Sequence, residues 1–151
     1  METFGSVDAV LDFAIEREQE AVDFYTDLAG QTEIASLKKT LQAFAGVERG
    51  HKEKLQQAKL DPAVVDGDRL VVDLKIGDYL VAAEPGPIMS FQDALVLAMQ
   101  REKAAMDLYA GLAGIVGDAG LRVLFEKLAA EEAHHKFSFE AAYENHFLSE
   151  N

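Results

Sequence analysis

The sequence predicts an all-α fold: a four-helix bundle made of two antiparallel helical hairpins joined by a long crossover connection. Three observations predict it. Four stretches carry apolar residues at alternating steps of three and four, the stripe that a bundle helix turns inwards. The second half repeats the first at a constant offset of 84 residues. The helical pattern breaks briefly inside each half and at length between the halves, so each half folds back on itself.

The first helix starts at the N-cap Ser6 and runs from Val7 to about Ala29, with Gly30 expected as the residue that closes it. Its stripe is Leu11, Ala14, Glu18, Ala21, Tyr25, Leu28. A short connection leads to a second helix from about Glu33 to Lys59, ended by Asp61-Pro62. Its stripe is Leu37, Leu41, Phe44, Glu48, His51, Leu55. Residues 60–89 break the periodicity with three prolines and three glycines. Within them, Arg69 to Ile76 reads as an extended stretch and Asp78 to Ala82 as a helical turn. Roughly 30 residues can run the length of a bundle helix and back. An end-to-end crossover, returning the chain to the end where the first helix began, accounts for a connection of this length.

Ser90, with Asp93 three residues on, caps the third helix, which Ala113-Gly114 ends. Its stripe is Leu95, Ala98, Glu102, Ala105, Tyr109, Leu112. Asp118 caps the fourth, which runs to about Glu144 with the stripe Leu121, Phe125, Leu128, Glu132, His135, Phe139. The polar tail from Asn145 to Asn151 is expected to fray. The whole chain, 1–151, reads as one domain, with hairpins over about 6–59 and 90–146 and the crossover at 60–89. Subtracting 84 places Ser90 on Ser6, Glu102 on Glu18, Tyr109 on Tyr25, Glu132 on Glu48 and His135 on His51. A duplicated hairpin explains this; two copies of so long a period do not make a solenoid.

Composition narrows the function. With 49% hydrophobic and 27% charged residues the chain is ordinarily globular. It has no apolar run long enough to span a bilayer. Its N-terminus, METFGSVDAVLDF, lacks the parts of a signal peptide, so the cytoplasm is the expected location. A net charge of −13 argues against nucleic acid and anionic membrane as partners. The absence of cysteine excludes disulfides, zinc ribbons and iron–sulfur centres within these residues.

The stripes themselves carry the chemistry. Glu18, Glu48, Glu102, Glu132, His51 and His135 occupy positions that the pattern reserves for core side chains. A single Glu-x-x-His is weak, since surface pairing at that spacing is common. Here it occurs twice, each time beside a helix with one inward Glu. Salt bridging is the plain alternative, but no Lys or Arg lies on any stripe, and Arg17 and Arg101 sit about 100° off the inward direction. Four carboxylates that close would raise one another's pKa. Two divalent cations remove that conflict, so a dinuclear metal site is expected. Oxygen-rich ligands, two imidazoles and no thiolate suit iron or manganese, with zinc a possible substitute.

Several neighbours need placing. The fourth helix also holds Glu131 and His134, one residue out of register; stripe and repeat both choose Glu132 and His135, leaving the other two towards solvent or a partner and dispensable. Tyr25 and Tyr109 can hydrogen-bond a ligand carboxylate or quench an oxidising equivalent, or simply be core tyrosines. Asp23 and Asp107 can orient a ligand His, though a solvated face explains them more simply. Met99 and Met106 read as core filler rather than haem ligands.

The elements AIEREQEAVDFY, FAGVERGHK, AMQREKAAMDLY and LAAEEAHHK resemble the ferritin-like di-iron carboxylate superfamily, and most of all its rubrerythrin branch without a rubredoxin domain. One Glu from each of two helices and Glu-x-x-His from each of the others is that superfamily's pattern. The resemblance implies a ferritin-like bundle, two iron ions, and Glu48 and Glu132 as bridging ligands. Glu18, His51, Glu102 and His135 would be terminal ligands, their pairing on each metal left open. It implies reduction of hydrogen peroxide or O2, with ferroxidase activity as a near variant and iron storage as the alternative. Two departures qualify this. Rubrerythrins carry a further ligating Glu one turn after that of the third helix, where this chain has Ala105. No cysteines are present for a rubredoxin iron, and no haem is expected, so reductive turnover would draw electrons from a separate protein. A homodimer is the expected assembly; a storage shell is disfavoured because no fifth helix is evident after the fourth.

Overall fold

The computed structural model describes residues 6–61 and 90–145. Four helices of 25 residues each account for nearly all of them: α1 (Val7–Gln31), α2 (Ala35–Lys59), α3 (Phe91–Ile115) and α4 (Ala119–Tyr143). Three start where a side chain takes up an N-terminal amide. Ser6 accepts from Ala9 N at 3.1 Å, Ser90 from Asp93 N at 3.1 Å, and Asp118 from Leu121 N at 2.8 Å. The fourth, α2, begins at Ile34 without a side-chain cap; Ile34 N donates instead to Thr32 Oγ1 at 3.2 Å.

The helix ends depart from expectation. Gly30 and Gly114 do not close their helices: α1 continues to Gln31 and α3 to Ile115. Thr32 and Val116, both extended, return their N–H groups to Leu28 O and Leu112 O. Among the described residues no glycine has a positive φ, so neither end uses the left-handed cap that glycine serves.

The helices pair as two antiparallel hairpins, α1 with α2 and α3 with α4. Across the hairpins α1 faces α3 and α2 faces α4, more sparingly. The stripes interlock as two apolar clusters. One, at the end where α1 begins, joins Val7, Leu11, Leu55, Leu112, Leu121 and Phe125. The other joins Leu28, Leu37, Leu41, Phe44, Leu95 and Phe139. Each cluster draws on both hairpins, and each fully buried Leu or Phe is worth about 1.5–3 kcal/mol.

Since Leu55 of α2 lies in the first cluster and Leu95 of α3 in the second, the chain leaves one end of the bundle and re-enters at the other. The connection is end-to-end, but it rejoins where α1 finishes, not where α1 begins as expected. An antiparallel α2 has already brought the chain back to the first end. The readings of 69–76 and 78–82 lie outside the described residues, as does most of the tail. No helix among the described residues is long and apolar enough to cross a membrane.

Candidate metal centre

Between the two apolar clusters lies a polar layer. Glu18, Glu48, His51, Glu102, Glu132 and His135 are each at most 3% exposed. Each sits where a helix turns its stripe inwards, one layer deep, so the positions chosen by periodicity do converge. They form two overlapping groups: Glu18, Glu48, His51 and Glu132, and Glu48, Glu102, Glu132 and His135. In each group one ligand atom per residue lies within 4.8 Å of all the others, a spread that could hold a metal ion. Glu48 and Glu132 belong to both groups.

The details follow that sharing. Glu48 Oε1 lies 3.0 Å from His135 Nδ1 while its Oε2 lies 3.4 Å from His51 Nδ1, so one carboxylate spans both imidazoles. Glu132 Oε1 is 3.0 Å from His51 Nδ1. Glu18 Oε1 stands 3.6 Å from His51 Nδ1, and Glu102 Oε1 3.6 Å from His135 Nδ1. The geometry thus sets Glu18 beside His51 and Glu102 beside His135.

Tyrosines fasten the two outer carboxylates, and they do so across the hairpins. Tyr25 of α1 donates to Glu102 Oε1, and Tyr109 of α3 donates to Glu18 Oε1. In each case Oε2, the other oxygen, has no hydrogen-bond partner. The tyrosines thus fix each carboxylate by one oxygen and leave the second free.

Whether metal ions fit can be judged from what is left unpaired. Seven buried atoms of the centre have no hydrogen-bond partner: Glu18 Oε2, both oxygens of Glu48, His51 Nδ1, Glu102 Oε2, Glu132 Oε1 and His135 Nδ1. Each such orphan costs about 1–3 kcal/mol or more, the charged ones most. Without metal, protons on both imidazoles still leave the four carboxylates short of charge balance unless some of them hold protons too. Among the described residues no lysine or arginine ion-pairs with the four. Arg17 pairs with Glu16 and Glu20 and lies over the Phe13 ring, and Arg101 lies over Phe24. Two divalent cations match four carboxylates in charge, and the orphaned atoms are all oxygen and imidazole nitrogen. The donor set fits.

The metal-free electrostatics carry the same strain. Burial pushes Glu18 and Glu102 up to about 8, with Glu48 adding to the rise at Glu18. Burial, with Glu102 beside it, pushes Glu132 well above the usual carboxylate range. Burial opposes charge on His51, but the surrounding Glu132, Glu18 and Glu48 outweigh it and hold the imidazole far above its ordinary pKa. Burial likewise raises Tyr109, so it stays a hydrogen-bond donor.

A cavity of about 350 Å³ opens between α1 and α3 and reaches the centre from one side. The four carboxylates and both tyrosines line it, and neither histidine does. Ala105 lines it too: where rubrerythrins were expected to carry another carboxylate, this chain leaves room. The imidazoles, on α2 and α4, close the opposite side.

Five neighbouring residues can now be placed. Asp23 accepts from Gln19 and Asp107 from Lys103, so neither orients a histidine. Met99 packs against the second apolar cluster, as core filler does. His134 is exposed. Glu131 departs from expectation: instead of facing solvent freely, its Oε2 engages His51 Nε2. The helices α2 and α4 run side by side in opposite directions, so a residue flanking the stripe of one reaches the stripe of the other, as positions beside a coiled-coil seam do. The repeat hid this, because the position related to Glu131 is Val47.

Comparison with known proteins agrees with the geometry. A hypothetical protein from Pyrococcus furiosus has 25% sequence identity over 91% of this chain and 87% of its own, with a TM-score of 0.73. A Thermotoga maritima protein, provisionally described as a ferritin-like diiron-carboxylate protein, shares the fold with a TM-score of 0.79. It is 20% identical over 95% of this chain and 97% of its own. No curated protein matches at a significant level. The family model named Rubrerythrin matches residues 9–143, which take in all of the four helices but the first two residues of α1, and the whole polar layer. By that match the chain belongs to the rubrerythrin family.

Proposed function

We propose that the protein is a non-haem di-iron oxidoreductase that reduces hydrogen peroxide or O2. In this reading Glu48 and Glu132 would be shared by two iron positions, with Glu18 and His51 holding one ion and Glu102 and His135 the other. The observation that carries it is the set of seven unpartnered buried atoms, all aimed into one layer.

When bound, a pair of ferrous ions would supply two electrons together, enough with two protons to take hydrogen peroxide to water or O2 to hydrogen peroxide. The protein supplies the rest. The imidazoles occupy the α2–α4 side, so a small oxidant is received from the α1–α3 cavity. Tyr25 and Tyr109 hold the outer carboxylates at fixed angles and present their O–H groups at the cavity's inner end. The apolar clusters above and below exclude bulk water, so the charges act in a medium of low dielectric. Membership of the rubrerythrin family supports reductive chemistry; without cysteine for a rubredoxin-type iron, repeated turnover takes electrons from a donor outside these residues.

The test is anaerobic loading with Fe(II) followed by one equivalent of peroxide. The expected result is two irons per chain and the near-ultraviolet charge-transfer absorption of an oxidised iron pair, formed faster than by Fe(II) in buffer. Binding of fewer than two irons, or oxidation no faster than in buffer, would falsify the reading.

A further inference from the structure

The polar layer has twofold order in its six stripe residues but not behind its histidines. His51 presents Nδ1 to the carboxylates and engages Glu131 through Nε2. Glu131 belongs to α4, and its side chain is 35% exposed. The offset that maps His51 onto His135 maps Glu131 back onto Val47, which has no polar side-chain atom. His135 instead lies nearly face to face with the Phe44 ring, centroids 4.0 Å apart and planes 25° apart. The position related to Phe44 is Leu128. One imidazole is backed by a carboxylate and the other by an aromatic ring.

We propose that Glu131 is a positioning residue that makes the two metal positions unequal, the one served by His51 and Glu18 binding its ion first and more tightly. The inference rests on the dinuclear reading above. A carboxylate on Nε2 keeps the proton there and the lone pair on Nδ1, the nitrogen that faces the centre. It also makes that lone pair more basic and fixes the ring's rotation. The Phe44 face fixes the plane of His135 but does not select which nitrogen carries the proton. Removing such a carboxylate partner typically weakens metal binding 10–100-fold. The partial exposure of Glu131 places its effect towards the lower figure.

Anaerobic calorimetric titration of the metal-free full chain with Co(II) reads this directly. The wild type is expected to bind two ions in two steps separated by about tenfold or more. A crystal loaded with one Co(II) per chain should show its anomalous signal beside His51. In Glu131→Ala the first step weakens about tenfold and the second holds, so the steps merge. Glu131→Gln keeps an acceptor without the charge and should fall between; it carries the test if the alanine variant does not fold. Two equal steps in the wild type, no change in either variant, or equal weakening of both steps overturns the proposal. Fewer than two ions in the wild type overturns the dinuclear reading instead.

Discussion

Among the described residues, Glu48 alone has both carboxylate oxygens buried, unpartnered and each turned to a different histidine. Its loss should remove what the two positions share. Glu48→Ala or Glu132→Ala is expected to abolish binding of two ions, read as one or none per chain by metal analysis. The rise in Tm that metal gives the wild type, which scales with ligand concentration over Kd, should vanish with it. The tyrosines predict a different pattern. Tyr25→Phe and Tyr109→Phe each leave a buried carboxylate oxygen without its donor, which costs the metal-free protein about 1–3 kcal/mol in denaturant unfolding. Both variants should still bind two ions, because the oxygen that accepts from the tyrosine is not the free one. At this scale the stripe residues were legible, since burial of a Glu or His at steps of three and four is visible in the letters alone. The tyrosines' partners were not. Tyr25 lies near Glu18 along its own helix, and only the antiparallel packing of α1 on α3 sends it to Glu102. Glu131 was missed for a related reason: a residue 100° off the stripe reads as solvent-facing until the neighbouring helix is in place.

The helices are long, regular and capped where Ser6, Ser90 and Asp118 announce it. Their starts were legible because capping is local chemistry. Their ends were not, because Gly30 and Gly114 stay helical when the N–H two residues further on, that of Thr32 or Val116, still donates back to Leu28 O or Leu112 O. α2 offers a test of what its glycines contribute. Gly46 and Gly50 are inside the helix, neither has a positive φ, and a Cβ at either would meet nothing within 4 Å. Gly46→Ala is therefore expected to stabilise the protein by about 0.5–1 kcal/mol, mostly by narrowing the unfolded ensemble. The denaturation midpoint checks it; a lower midpoint would mean that the open space is needed for something else. In the other direction, Asp118→Ala removes a 2.8 Å cap and should cost about 1 kcal/mol.

At the scale of the molecule, the buried carboxylates tie stability to pH and metal together. Glu18 and Glu102 ionise near 8 in the folded metal-free protein against 4.5 for an ordinary glutamate, so over that window the folded state holds protons the unfolded chain has released. Stability must then fall as pH rises from about 4.5 to 8. His51, raised in the same sense, adds to the fall. Metal-free protein should have a lower Tm at pH 8 than at pH 6, and metal-loaded protein should show a smaller difference. Loading at pH 7 should release protons, measurable from the buffer dependence of the calorimetric heat. A metal-free Tm that climbs over the same range would contradict the electrostatics of the layer. The bundle's plan was legible because duplication repeats every stripe, whereas the end at which α3 begins depends on a connection that has no periodicity to read. The repeat also bears on ancestry. A peptide of half this length, carrying one Glu on its first rod and Glu-x-x-His on its second, would complete all six stripe positions by embracing a copy of itself. Joined in one chain, the two halves need not match each other, and they differ at Glu131 opposite Val47.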